Sequence, residues 1–186
     1  MSARPARDTY RHGNVRAEAV AAARALVASH GHEALSLRQV AQAVGVAHRS
    51  LYNHFEDREA LLDAVAEAGF VDLAEPLKAA DSREAYVRAY ARFALANPRL
   101  YALMSSRPHG TMKHRPALQR AVHLGITEAR RLFGRADRSS AENRRAIMKV
   151  IILMHGALAM HAAGVLDVEG DEGLIAELQA MVADQT

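Results

Sequence analysis

The chain has 186 residues, half of them hydrophobic and 24% charged, which is core enough for one large domain or two small ones and excludes a disordered chain. It contains no cysteine, which excludes disulfide frameworks, thiolate metal sites, iron–sulfur clusters and cysteine nucleophiles, and fits a reducing compartment. Aromatic residues are only 5%, so β-rich architectures are disfavoured, and a formal charge of +3, with arginine the dominant cation, points mildly to a polyanionic partner.

Residues 1–13 are polar and hold Arg4, Arg7, Arg11 and His12 against Asp8. They lack the apolar segment of a signal peptide, so a cytoplasmic chain is expected. The segment reads as a flexible basic arm, either merely solvated or reaching a DNA minor groove or phosphates. Asn14 suits an N-cap, and Ala19, Ala22, Ala23, Leu26 and Val27 recur at helical spacing up to His30 and Gly31. Ser36 caps a short helix with Leu37, Val40, Ala41 and Val44 on one face, and Gly45 breaks it. A third short helix covers His48 to His54, with Leu51 and Phe55 inward. Asp57 caps a fourth bearing Leu61, Leu62, Val65, Phe70 and Leu73, and Pro76 is expected to end it.

The second half is also helical. Asp81 to Glu84 offers a capping box before Tyr86, Val87, Tyr90, Phe93 and Ala94, and Pro98 suits the first position of the next helix. Ser105 to Arg115 reads as a polar loop. Pro116 opens a helix that Gly134 stops, and Ser139 to Glu142 is a further capping box. The uncharged run Val150 to Leu166 falls short of the roughly 20 residues of a membrane span and is expected to lie buried inside protein. Gly164 to Gly173 is read as a turn region, and Leu174, Ile175, Leu178, Met181 and Val182 form a final amphipathic stripe. No segment has strand period, so an all-α protein of about nine helices is expected. Its last two long helices, Ala141 to Ala163 and Glu172 to Ala183, carry more apolar surface than one face needs, and are expected to pair two subunits as a four-helix bundle.

Two short helices joined at Gly45 suggest a helix-turn-helix. In such a unit the second helix lies in a major groove, so it must be short, apolar inward and polar outward. Its outward set here is His48, Arg49, Ser50, Tyr52, Asn53 and His54. All can bond to phosphates, and arginine, asparagine and serine can read base edges.

The stretch from Leu37 to Leu62, with its Gly45-Val46 turn, Leu51-Tyr52-Asn53-His54-Phe55 run and Asp57-Arg58-Glu59-Ala60-Leu61-Leu62 ending, resembles the DNA-binding domain of the tetracycline-repressor (TetR) family. Tyr10 to Arg16 is similar to the opening of one TetR subgroup. Ala94 to Tyr101 and His155-Gly156 resemble that subgroup's C-terminal domain, named for a Trp…His-Gly pattern, with Ile151 standing where the Trp would be. The resemblance implies an all-α, homodimeric, ligand-responsive transcription factor, usually a repressor released from a palindromic operator by a small molecule. It implies a flexible basic arm over 1–13, a helix-turn-helix domain over 14–57, and a helical effector-binding and dimerisation domain over 58–186. Carried over by position, Tyr52, His54 and Arg58 contact phosphates, Ser36 and Arg38 approach the backbone, and His48 and Arg49 stand where base specificity is set. Ala47 departs from the frequent Ser or Thr, which leaves the recognition helix without a side-chain cap.

Tyr86, Tyr90, Phe93, Tyr101, Met104, His123, Ile151 and His155 are the candidates for an effector pocket, against the alternative of ordinary helical core. Met112, Met148, Met154 and Met160 share that ambiguity. His109, His114, His123, His155 and His161 form no i, i+4 ligand pair, so neither a metal site nor a cofactor is expected. No nucleophile elbow and no phosphate loop is present, so no catalysis is expected. The alternative to a ligand-released regulator is a DNA-binding adaptor or nucleoid protein without sequence preference.

Overall fold

A computed structural model describes residues 14–107 and 113–183, and among them it has nine α-helices and no strand. Arg4, Arg7, His109 and Met112 lie outside the described residues. Helix α1, Val15–His30, buries Val15, Ala19, Ala23 and Val27, a stripe of exact four-residue spacing whose small side chains allow close approach. Helix α2, Leu37–Val44, is closed at its start by a reciprocal capping box between Ser36 and Gln39. It ends at Gly45, whose φ of +76° lies in the left-handed region and turns the chain into α3, His48–Leu51. Ala47 gives α3 no side-chain cap.

Helix α4, Arg58–Ala79, is capped by Asp57 and runs through the expected stop at Pro76. The proline removes only one hydrogen bond in the last turn, where the helix is about to end, while Leu73, Ala74 and Leu77 hold that turn in the core. Helix α5, Arg83–Ala96, is capped by Ser82 through the Ala85 N–H at 3.1 Å. The expected box does not close, because the residue that would return the bond is Ala85. Helix α6, Pro98–Ser105, starts on its proline, α7 spans Pro116–Phe133, and α8, Ser140–Ala162, opens on the closed Ser139–Glu142 box. Helix α9, Gly170–Ala183, begins inside the segment read as turn, with Asp171 and Glu172 in the first turn, where the helix dipole favours acids.

One hydrophobic cluster runs through the molecule from Val15 to Val182. Gly69 on α4 is what lets α6 lie close: a Cβ there would stand 2.7 Å from the Met104 sulfur and 3.3 Å from Leu100. Helix α6 also reaches α1, where Arg99 donates to the carbonyls of Ala28, at 2.9 Å, and Ser29. Arg24 on α1 pairs with Asp72 on α4.

Helix α8 departs from the expectation of burial. Ile147, Val150, Met154, Ala157 and Leu158 face the core, but Met148, Ile152 and Met160 are exposed, Ile152 by 63%. An apolar helix lying on the edge of the bundle has neighbours on one side only. By length and composition alone α8 could reach across a membrane; Ile147, Val150, Met154, Ala157 and Leu158 pack it against the core along one side.

Candidate nucleic-acid interface and effector cavity

Leu51 and Phe55 anchor α3 by complete burial, and the Arg16 guanidinium lies over the Phe55 ring at 5.5 Å. With its inner side fixed, α3 turns its polar residues outward. His48, Arg49, Asn53 and His54 are exposed, Tyr52 is 50% exposed, and Ser50 is half-buried. The His48 ring meets Tyr52 edge-on at 5.3 Å. Arg38 on α2 and Arg49 on α3 are exposed and, among the described residues, make no ion pair and no side-chain hydrogen bond. Both forks are therefore open to an external anion. Ser36 is half committed: its hydroxyl donates to Gln39 Oε1 at 2.8 Å and accepts from the Gln39 N–H at 3.3 Å.

Arg58, expected at a phosphate, is engaged within the chain. Its Nε donates to Leu35 O at 2.8 Å, Nη2 donates to His32 O at 2.5 Å and to Glu33 O at 3.1 Å, and Nη1 pairs with Glu59 at 2.6 Å. The α1–α2 connection leaves these carbonyls without helical partners, and a guanidinium fork satisfies them together. Arg58 thus braces the loop that leads into the α2 cap.

The neighbouring ionic cluster was not signalled by the sequence. Arg107, only 8% exposed, follows the end of α6 and donates from Nη1 to Glu59 Oε2 at 2.8 Å and to Asp63 Oδ1 at 3.4 Å. Arg115 reaches the same Asp63 at 3.0 Å. The Arg107 hydrogen bond, with its charge, holds the Glu59 carboxyl below its ordinary range against the opposing effect of burial. Burial pushes Asp63 upward, and the charge of Arg115 only partly offsets it. The Arg107 Nε is buried without a hydrogen-bond partner. The only sequence signal was Glu59 and Asp63 at one helical turn, which does not say what faces them.

In the body of the molecule, Tyr86, Tyr90, Tyr101, Met104, Ile151 and His155 line one cavity of about 100 Å³. Phe70 and Leu73 from α4 and Val122, Gly125 and Ile126 from α7 also wall it, a contribution that their core-like spacing did not reveal. Tyr101, Ser105 and His155 also border a second cavity of about 650 Å³ between α5, α6 and α8. The Tyr90 and Tyr101 hydroxyls lie 3.3 Å apart, and both share hydrogen bonds with the His155 ring, whose plane stacks on Tyr101. Burial holds the Tyr86 and Tyr90 hydroxyls well above the usual tyrosine range and Tyr101 up to about 12. His123 is not with them. It faces a separate cleft beside Arg130 and Met148, and its Nδ1 donates to Gln119 O at 2.8 Å. Phe93 packs half-buried on the core and lines neither cavity around the triad.

A helix-turn-helix head joined through α4 and α6 to a helical body with a tyrosine-walled cavity defines a one-component regulator architecture. Residues 19–65 match the bacterial regulatory proteins of the tetR family, and residues 84–184 match the tetracyclin repressor-like C-terminal domain. The chain belongs to the TetR family. Over 72 residues it is 36% identical to the HTH-type transcriptional repressor KstR2 of Rhodococcus jostii (strain RHA1), a match that covers 39% of this chain and 35% of that protein. The chain thus aligns with about a third of that relative's length. A solved protein of unknown function from Rhodococcus sp. RHA1 is 29% identical with a TM-score of 0.75, covering 95% of this chain and 97% of its own. A TetR transcriptional regulator from the same source shares the fold at 17% identity and a TM-score of 0.66, over 92% and 95% of the two chains.

Proposed function

We propose that this chain is a cytoplasmic, homodimeric transcriptional repressor that binds a palindromic operator and releases it when a small molecule enters the body of the fold. The observation that carries the reading is the outer face of the helix-turn-helix. Arg38 and Arg49 are exposed and uncommitted while Leu51 and Phe55 fix the helix behind them. Tyr52, His54 and Arg38 position the protein on phosphates, and His48, Arg49, Ser50 and Asn53 face base edges. Arg4 and Arg7 extend the grip from the preceding arm. Arg58 and Ser36 shape the head, with Ser36 left one acceptor lone pair for a phosphate-bound water. The repressor sense is supported by the partial likeness to the transcriptional repressor KstR2.

The working division is a head over 14–57 and a body over 58–186, with α4 and α6 as the mechanical link. Helix α6 carries Tyr101, Met104 and Ser105 on its cavity side; Arg99 ties one end to the head directly, and Arg107, just beyond the other end, reaches it through Glu59 and Arg58 of α4. A ligand that displaces α6 therefore pulls on both ends of the head. The exposed apolar faces of α8 and α9, with Met148, Ile152, Met160 and Met181, pair two copies so that two heads present to successive major grooves.

The test is selection of bound fragments from sheared genomic DNA by the purified chain, followed by gel shift. A palindromic motif bound at least about a thousandfold above random DNA supports the reading. Equal binding of all sequences contradicts it and favours a nucleoid protein.

A further inference from the structure

A separate cleft, between α7 and α8, holds arginines that neither the head nor the tyrosine-walled cavity uses. Arg130, near the end of α7, and Arg144, near the start of α8, line this one space of about 570 Å³. Both are exposed and, among the described residues, make no ion pair and no side-chain hydrogen bond. The acids between Pro116 and Val150 are Glu128, Asp137 and Glu142. Each is committed: Glu128 to Arg131 at 2.6 Å, Asp137 to Arg135 at 2.8 Å, and Glu142 to the Ser139 cap of α8. Among the described residues, the cleft lining holds no aspartate and no glutamate. Two guanidinium forks therefore face one space with no carboxylate between them.

The remaining polar groups of the lining leave that balance as it is. Arg135 is neutralised by Asp137, whose two oxygens accept from its Nε and Nη2. The Asn143 amide donates to the carbonyls of Arg135 and Arg138, and its Oδ1 accepts from the Arg135 N–H, so it is spent on the loop. His123 donates through Nδ1 to Gln119 O, and Ser140 adds a hydroxyl; neither brings a negative charge. The floor is apolar, made by buried Ile147 with half-buried Ile126 and Ile151. Charges of one sign over a low-dielectric floor focus their field into the cleft and concentrate the opposite charge there. The smaller cleft on the other side of α8, with Arg138, Arg145 and Lys149, already holds the Glu142 carboxylate among its cations. Ile126 and Ile151 also line the tyrosine cavity, so the two spaces share a wall.

We propose that the α7–α8 cleft is a second small-molecule site, which takes an amphipathic organic anion. The carboxylate or phosphate end of this anion lies between the Arg130 and Arg144 forks, and its apolar chain lies on Ile126, Ile147 and Ile151. A guanidinium can meet two oxygens of either head group in parallel hydrogen bonds. The cleft volume falls within the range of ordinary small-molecule sites, roughly 300–1,000 Å³. Met148 on its lining also belongs to the exposed apolar face of α8, so the ligand sits beside the proposed subunit contact. The site stands apart from effector release, and neither an operator nor the tyrosine cavity enters its test.

Isothermal titration calorimetry on the full chain tests it, with octanoate, octyl phosphate, octanamide and acetate as probes. The better of the two amphipathic anions is expected to bind at least about tenfold more tightly than octanamide, which lacks the charge, and than acetate, which lacks the chain. Which anion is the better one names the head group. Arg130→Gln and Arg144→Gln are each expected to weaken that anion at least about fivefold and to leave octanamide unchanged. Both side chains are exposed, so each variant should keep the helical circular dichroism of the wild type. Arg145→Gln, on the other side of α8, is expected to change neither. Octanamide binding as tightly as the anions, or acetate as tightly as octanoate, would leave only an apolar hollow or only surface charge, and the proposal would be wrong. Binding of the anions that ignores both Arg130→Gln and Arg144→Gln would put them elsewhere in the chain and also overturn it. So would the absence of any binding by either anion.

Discussion

Arg107 Nη1 sits 2.8 Å from Glu59 Oε2, so the residue that follows the cavity-lining helix is bonded to the second residue of α4. Glu59 is in turn paired with Arg58, whose other nitrogens hold the carbonyls of the α1–α2 loop. Cavity wall, ion cluster and operator-facing head are thus one chain of contacts. Because Arg107 is almost fully buried between two carboxylates, Arg107→Leu leaves Asp63 with Arg115 alone and Glu59 with Arg58 alone, and is expected to lower stability by about 2 kcal/mol in urea denaturation. Glu59 is half exposed, and solvent screens it, so Glu59→Gln is expected to lower stability by less than about 1 kcal/mol. Its effect should show instead as weaker operator binding through a looser Arg58 brace. A Glu59→Gln protein with unchanged operator affinity would remove this cluster from the coupling path.

The same cluster sets a pH dependence. The Glu59 carboxyl lies below its ordinary value in the folded chain. Its stabilising effect is therefore complete above the unfolded pKa, about 4.3, and is lost as pH falls through the lower folded value. Asp63 runs the other way: its raised value makes the folded chain take up a proton first, so protonation there favours folding as pH falls. The stability gap between wild type and Glu59→Gln is expected to narrow steadily below about pH 4.3 in denaturation curves at several pH values. A gap that stays constant to pH 3 would mean that the Glu59 charge is not what the substitution removes.

Positioning and reading should separate on α3. Tyr52→Phe removes the hydroxyl proposed to reach a phosphate, so affinity is expected to fall for all sequences alike, by about 1 kcal/mol. Arg49→Ala removes a fork near the start of the helix, where base edges come within reach. Preference at one base pair per half-site is expected to relax by roughly 1–3 kcal/mol. Site selection on the Arg49→Ala protein decides: an unchanged motif with lower overall affinity would make Arg49 a phosphate clamp.

The apolar outer face of α8 predicts the assembly. Ile152 is 63% exposed in the single chain, so Ile152→Glu disturbs little within one subunit but places a charge in the paired face. Light scattering at micromolar concentration is expected to find a dimer for the wild type and a folded monomer for Ile152→Glu. A monomeric wild type would contradict the four-helix interface.

The helices were legible because their signals are local. Ser36, Asp57 and Ser139 sit where caps belong, Gly45 where a left-handed turn is needed, and the inward stripes keep helical spacing. What stayed hidden depends on neighbours distant in sequence. Pro76 reads as a stop until the packing of Leu73 and Leu77 is known, and α8 reads as wholly buried until its edge position is seen. Six of the eight pocket candidates share one cavity because α5, α6 and α8 cross there. His123 and Phe93 fall elsewhere, since a histidine or phenylalanine on an amphipathic helix looks the same whichever cleft it borders. Arg58 carries the right chemistry for a phosphate, and the loop carbonyls that it meets within the chain are invisible to spacing.

The most direct measurement of the account is operator affinity as a function of salt, on the motif recovered by selection. Four to six phosphate contacts per subunit, doubled in a dimer, release enough counterions to weaken binding on the order of a thousandfold or more between about 50 and 200 mM salt. A steep line is expected, with the selected palindrome held far above random DNA at every salt concentration. A shallow line with no preference for the palindrome would contradict it.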